Sequence, residues 1–168
     1  MRAGPATLAV AIAGLCLLSD PLSAQVVQIT PDQAALRVRY EKGVRVVYFY
    51  SYSCPYSRQE FPAFVALARR YAAVGVTFLA FSLDDDPEVL DDYLGPSLLP
   101  FDRQLIVPEG AGSVGRAFAA EGIRVPPKTN TPSTVVFDTD GRQVGKVSGI
   151  GASRQTERWL QHLGFAAE

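Results

Sequence analysis

From Val44 to Tyr50 the chain is apolar almost without a break, Val44-Arg45-Val46-Val47-Tyr48-Phe49-Tyr50, and most of these residues are β-branched or aromatic. A strand covered on both faces carries such a run, whereas a half-exposed strand alternates. The pattern then switches. After small polar residues and Cys54, Pro55 stands where a helix can begin without losing a hydrogen bond. Phe61, Phe64, Val65, Ala68 and Tyr71 follow at helical spacing. The stretch reads as strand, tight turn, cysteine, and a helix to about Ala73. Pro62 should kink that helix, because a proline inside it removes a backbone hydrogen bond. The Cys54 sulfur falls where free backbone N–H groups and the positive end of the helix dipole converge.

The flanking pattern supplies the other elements. Val26 to Ile29 can form a short strand. Thr30-Pro31-Asp32-Gln33 has a capping-box arrangement and opens a helix to about Lys42, stopped by Gly43. Val76 to Leu83 is a second apolar strand. Asp86 then caps a helix that Pro87 opens, with Val89, Leu90, Tyr93 and Leu94 as its buried stripe and Gly95 as its end. The triplet Asp84-Asp85-Asp86 lacks the ligand alternation of a divalent-metal loop and is read as a cap rather than a metal site. Leu98 to Val107 is a weaker strand, and Ser113 caps a helix through Ala120, ended by Gly122. A proline-rich loop leads to a strand at Ser133–Phe137, an Asp140-Gly141 hairpin and a return strand at Gln143–Ser148. Ser153 starts a last helix that buries Trp159, Leu160 and Leu163. Helix–strand alternation ending in a hairpin and a helix predicts a three-layer α/β domain with a mixed sheet.

Length and charge narrow the picture. The 168 residues suffice for one domain with a sizeable core. With 16 basic against 17 acidic side chains, neither nucleic acid nor an anionic surface is favoured as a partner. Residues 1–24 read differently: Arg2 precedes an apolar run from Leu8 to Leu18, and Leu22-Ser23-Ala24 offers small residues before Gln25. The run is short for a membrane span. It is read as a cleaved secretory signal, leaving a domain over residues 25–168 in the periplasm or otherwise secreted, with no stable membrane span. Cys16 lies within the signal behind Leu15, a poor context for lipidation.

The mature chain then keeps a single cysteine, Cys54, which cannot form an internal disulfide. Its place at a helix N-terminus favours a reactive thiol over an inert one. One cysteine, one histidine (His162, on the last helix) and no methionine after Met1 leave no soft metal site, and no cofactor is expected.

The segment Phe49-Tyr50-Ser51-Tyr52-Ser53-Cys54-Pro55-Tyr56-Ser57-Arg58-Gln59-Glu60-Phe61-Pro62 resembles the active-site segment of the thioredoxin superfamily, most of all its exported TlpA/ResA type. Arg58, Glu60 and Pro62 match that pattern, and Cys54 falls on its nucleophilic cysteine. Ser57 falls on the second, resolving cysteine. The resemblance covers roughly residues 26 to 165 and implies a thioredoxin-like α/β/α fold with an extra N-terminal βα unit. Thr131-Pro132 ahead of Thr134-Val135-Val136-Phe137 resembles the family's cis-proline loop. By that likeness Pro132 would lie beside the sulfur and keep the loop's amide away from it. The Thr131 backbone would pair with an extended partner segment, beside Pro55 and Tyr56. Tyr48 stands where thioredoxins place a buried acid. Arg58 could add positive potential, unless it is simply a surface residue.

The resemblance implies a thiolate that attacks a disulfide and forms a mixed disulfide. Ser57 can donate a hydrogen bond to that thiolate but cannot resolve the adduct, so a protein thiol or a small-molecule thiol must finish the cycle. Cys-Pro-Tyr-Ser also resembles a glutaredoxin tetrad with its second cysteine replaced. A competing reading is a non-catalytic thioredoxin-fold module that binds protein segments at Thr131-Pro132. A third is a one-cysteine peroxidase resembling peroxiredoxins, for which Ser51 fits the motif and Val47 stands where proline is expected.

Overall fold

The computed structural model describes residues 26–95, 99–107, 112–125 and 131–166. The signal reading of residues 1–24 lies outside them. The elements are β1 (Val27–Ile29), α1 (Pro31–Tyr40), β2 (Arg45–Tyr50), α2 (Pro55–Ala72), β3 (Thr77–Ser82) and α3 (Pro87–Leu94). They are followed by β4 (Gln104–Ile106), α4 (Ser113–Ala120), β5 (Ser133–Phe137), β6 (Gln143–Ser148) and α5 (Ala152–His162). The strands form one sheet in the order β1-β4-β3-β2-β5-β6. β2 runs parallel to β3 and antiparallel to β5, which pairs with β6 as a hairpin.

All six residues of β2 are buried, as its pattern requires. Successive side chains leave a strand on opposite faces. Val46, Tyr48 and Tyr50 therefore pack with Phe61, Phe64, Ala68 and Tyr71 of α2, Leu90 of α3 and Leu160 of α5. Val47 and Phe49 pack on the other face with Ala34, Ala35 and Val38 of α1 and Phe118 of α4. This is the three-layer mixed α/β architecture expected, with a thioredoxin-like strand order and an N-terminal βα unit. The capping box of α1 forms as read: the Gln33 N–H donates to Thr30 Oγ1 at 3.2 Å, and Gln33 Oε1 accepts from the Thr30 N–H at 2.9 Å.

Several boundaries differ from the sequence reading, each for a local reason. Gly112, not Ser113, caps α4, and α5 starts at Ala152 behind a Gly151 cap rather than at Ser153; both glycines have positive φ. In α3, Leu90 and Leu94 are buried and Tyr93 partly so, but Val89 is exposed because two turns present only a narrow inward stripe. β4 keeps three residues, and Leu99 and Phe101 ahead of it pack on the α2 side as irregular chain. Trp159 is partly buried over β6, where a Cβ on Gly145 would come within 2.5 Å of its ring. Among the described residues no helix is long and apolar enough to cross a membrane.

Candidate active site

β2 ends at Tyr50 and the chain turns through Ser51-Tyr52-Ser53 into α2. Cys54 is the N-cap of that 18-residue helix, with Pro55 in its first turn. Its own N–H donates to the Ser51 carbonyl at 3.1 Å, which tightens the turn. Cys54 makes no side-chain cap bond, so the sulfur faces free N–H groups of the first helical turn. It is partly exposed and is a free thiol.

Opposite lies the loop before β5. The Thr131–Pro132 peptide is cis, and Cys54 Sγ donates to the Thr131 carbonyl at 3.2 Å across a separation of 77 residues. Pro132 is buried, and its carbonyl accepts the Gly149 N–H at 2.7 Å, tying the loop to the β6–α5 turn. The fold thus brings Cys54, Ser57, Thr131 and Pro132 together. Pro55 and Tyr56 are exposed beside the sulfur in sequence.

Burial pushes the Cys54 thiol up, but hydrogen bonds to the sulfur outweigh it and leave the thiol below its ordinary value. The groups that favour the thiolate are, largest first, the Ser57 backbone N–H, the Thr131 side chain, the Ser57 hydroxyl and the Tyr56 backbone N–H. Ser57 is almost fully buried, and its Oγ also accepts the Ser51 N–H at 3.2 Å. Arg58 is exposed, and its guanidinium pulls down the Tyr93 phenol, which burial raises. His162 is exposed at the end of α5, where nothing pairs it with the cysteine. Tyr48 lies under the site, stacked on Phe64, and its buried hydroxyl has no hydrogen-bond partner among the described residues. Burial, and next Glu60, push its phenol far up, so it does not stand in for a titrating acid.

Two acidic residues have positions that the sequence did not announce. Glu60 is buried on α2 and accepts the N–H groups of Gly151 and Ser153, capping α5 from a neighbouring helix. Asp84 is buried just past β3 and accepts from the Tyr52 N–H at 2.8 Å and from the Ser51 and Ser82 hydroxyls at 2.5 Å each. Asp86 caps α3 through the Glu88 and Val89 N–H groups, as expected. Asp84 therefore turns inward while Asp86 serves a helix. Among the described residues no group of three His, Cys, Asp or Glu side chains could hold a metal ion.

Residues 31–142 match the AhpC/TSA family. The chain belongs to that family. No curated protein sequence matches it. Solved structures are similar in fold. A thiol:disulfide interchange protein of the thioredoxin family from Chlorobium tepidum TLS superposes with a TM-score of 0.53 at 20% identity, covering 80% of this chain and 90% of that one. StoA from Bacillus subtilis gives 0.51 at 17% identity, covering 71% and 84%. A secreted disulfide oxidoreductase of Mycobacterium tuberculosis gives 0.50 at 17% identity, covering 73% and 81%. At these identities the likeness establishes a thioredoxin-like fold for this AhpC/TSA member.

Proposed function

We propose that this protein is an exported, monothiol thiol–disulfide oxidoreductase acting through Cys54. The observation that carries the reading is the Cys54 sulfur itself: it sits at the N-terminus of α2, is lowered by hydrogen bonds, and faces the cis Thr131–Pro132 loop. Fold neighbours that are thiol:disulfide interchange and disulfide oxidoreductase proteins support the same class of chemistry.

In this mechanism the Cys54 thiolate attacks one sulfur of a partner disulfide. A Cys54–partner disulfide forms, and the other partner sulfur leaves as a thiolate. The Ser57 hydroxyl and the first N–H groups of α2 hold the attacking charge. Ser57 has no sulfur with which to displace the partner, so an external thiolate attacks the mixed disulfide. It takes over the partner's sulfur and releases Cys54 as thiolate. The Thr131 backbone pairs with the extended partner segment, Pro132 keeps an amide away from the sulfur, and Pro55 and Tyr56 form the adjoining contact surface. Residues 1–24 act as a cleaved signal, and an intact mass of the exported protein beginning at Gln25 is the expected result.

The test is mass spectrometry after incubation with oxidised glutathione, then with reduced thiol. One glutathionyl adduct on Cys54, stable until thiol is added, is expected. Absence of any Cys54 adduct overturns the reading and leaves segment binding at Thr131–Pro132 as the function. The peroxidase reading ranks lower because the Ser51 hydroxyl donates to Asp84, away from the cysteine. Cys54-dependent peroxide consumption would restore it.

A further inference from the structure

Asp84 is hydrogen-bonded to the turn that leads into Cys54, although 33 residues separate it from Ser51 in sequence. Asp84, 5% exposed, lies just beyond β3, and Ser51-Tyr52-Ser53 lies just beyond β2. The parallel β2–β3 register pairs Tyr50 with Ser82 and so brings these two strand exits side by side. The Ser51 hydroxyl donates to Asp84 Oδ1, and the Tyr52 N–H and Ser82 hydroxyl donate to Oδ2. The Ser53 oxygen lies 2.7 Å from Ser51 Oγ and 3.4 Å from Asp84 Oδ1. One carboxylate thus fixes three successive residues of the turn that delivers the nucleophile.

The consequence for the sulfur follows from valence. A serine hydroxyl has one proton to donate and two lone pairs that accept. The Ser51 N–H occupies an acceptor site of Ser57 Oγ at 3.2 Å, which leaves the Ser57 proton to be donated elsewhere. Ser57 is 1% exposed, so water does not compete freely for that proton, and its hydroxyl is among the groups that draw the Cys54 thiol down. If the turn shifts, the Ser51 N–H leaves Ser57, and the hydroxyl loses the contact that orients it.

We propose that Asp84 is a positioning residue for the nucleophile: it holds Ser51–Ser53 so that the Ser51 N–H seats Ser57 as a hydrogen-bond donor to Cys54. The inference rests on the reading of Cys54 as a nucleophile. Tyr48 stays neutral because burial raises its phenol, and the exposed Arg58 acts on Tyr93.

The experiment measures the alkylation rate of Cys54 against pH by iodoacetamide for the wild type, Asp84→Asn, Asp84→Ala and Ser51→Ala. Near-ultraviolet circular dichroism selects the variants that fold. The inference expects the thiol titration of each folded variant to move up toward the ordinary value, with alkylation near neutral pH severalfold slower. Ser51→Ala, which removes only the hydroxyl, keeps the test open if Asp84→Ala does not fold. A purely electrostatic role predicts the opposite for Asp84→Asn, because loss of a nearby negative charge favours the thiolate. A purely structural role lowers thermal stability and leaves the pH profile unmoved. Either result, with a lowered wild-type thiol, overturns the inference alone. A wild-type thiol at its ordinary value overturns the reading of Cys54 and the inference with it.

Discussion

The Ser153 N–H of α5 donates to Glu60 of α2 at 2.7 Å across 93 residues of sequence, and the Gly151 N–H reaches the same carboxylate at 2.9 Å. The Gly151 cap offers no side chain, so Glu60 satisfies N–H groups that a helix start leaves open. Truncation by Glu60→Ala leaves buried donors unpaired, at about 1–3 kcal/mol each. A clear loss of thermal stability is expected, with the turn that carries Gly149 loosened beneath Pro132. An unchanged melting temperature would show that the cap contributes little.

On the proposed monothiol reading, Ser57 stands where a resolving thiol would act. Ser57→Ala removes a buried hydroxyl that draws the Cys54 thiol down and should raise it, slowing alkylation near neutral pH. Ser57→Cys places a second thiol one helical turn from the first. Here the mixed disulfide with glutathione is expected to disappear without external thiol, in favour of an internal bond to Cys54. Persistence of the adduct in that variant would mean that position 57 cannot reach the sulfur.

The lowered thiol also predicts a pH dependence of stability. A group whose folded pKa lies below its unfolded value stabilises the fold at pH above the unfolded value. The gain is lost as pH falls through the folded one. Reduced wild type should therefore gain stability relative to Cys54→Ala as pH rises toward and past the ordinary thiol value of ~8.5. Urea midpoints of the two proteins across that range measure it. A difference that stays flat or shrinks with rising pH would contradict a lowered Cys54 thiol.

Away from the site, Gly145 leaves room for Trp159. A methyl group at position 145 would meet the indole carbons at about the 2.5 Å separation found for an ideal Cβ. Overpacking of this kind costs about 1–3 kcal/mol. Gly145→Ala should lower the melting temperature while leaving the reactivity of Cys54 intact.

Local signals carried much of this far. The unbroken run at β2 gave away a strand buried on both faces, and Thr30 with Gln33 gave a helix start to the residue. Ser133–Phe137 and Gln143–Ser148 were legible from period and turn chemistry alone. What escaped was set by contact between segments distant in sequence. Val89 has an apolar side chain, yet a two-turn helix buries only Leu90 and Leu94 fully. Ser113 reads as a cap and Ser153 as a helix start, but α4 and α5 begin behind Gly112 and Gly151, both at positive φ. Glu60 showed itself as a motif position, without the helix end it would cap. Asp84 looked like one acid in a row of three. Only the pairing of β2 with β3 places it under the Ser51–Ser53 turn, and that signal becomes visible once strand order is known.

The most direct test of the account is the thiol pKa of Cys54 in purified protein comprising residues 25–168, measured by pH-dependent alkylation. Unperturbed thiols titrate near ~8.5, and activated ones at helix N-termini lie lower. A value clearly below the ordinary one is the predicted result. A value at or above it, or a thiol that does not label at all, would contradict the assignment of Cys54 as a nucleophile.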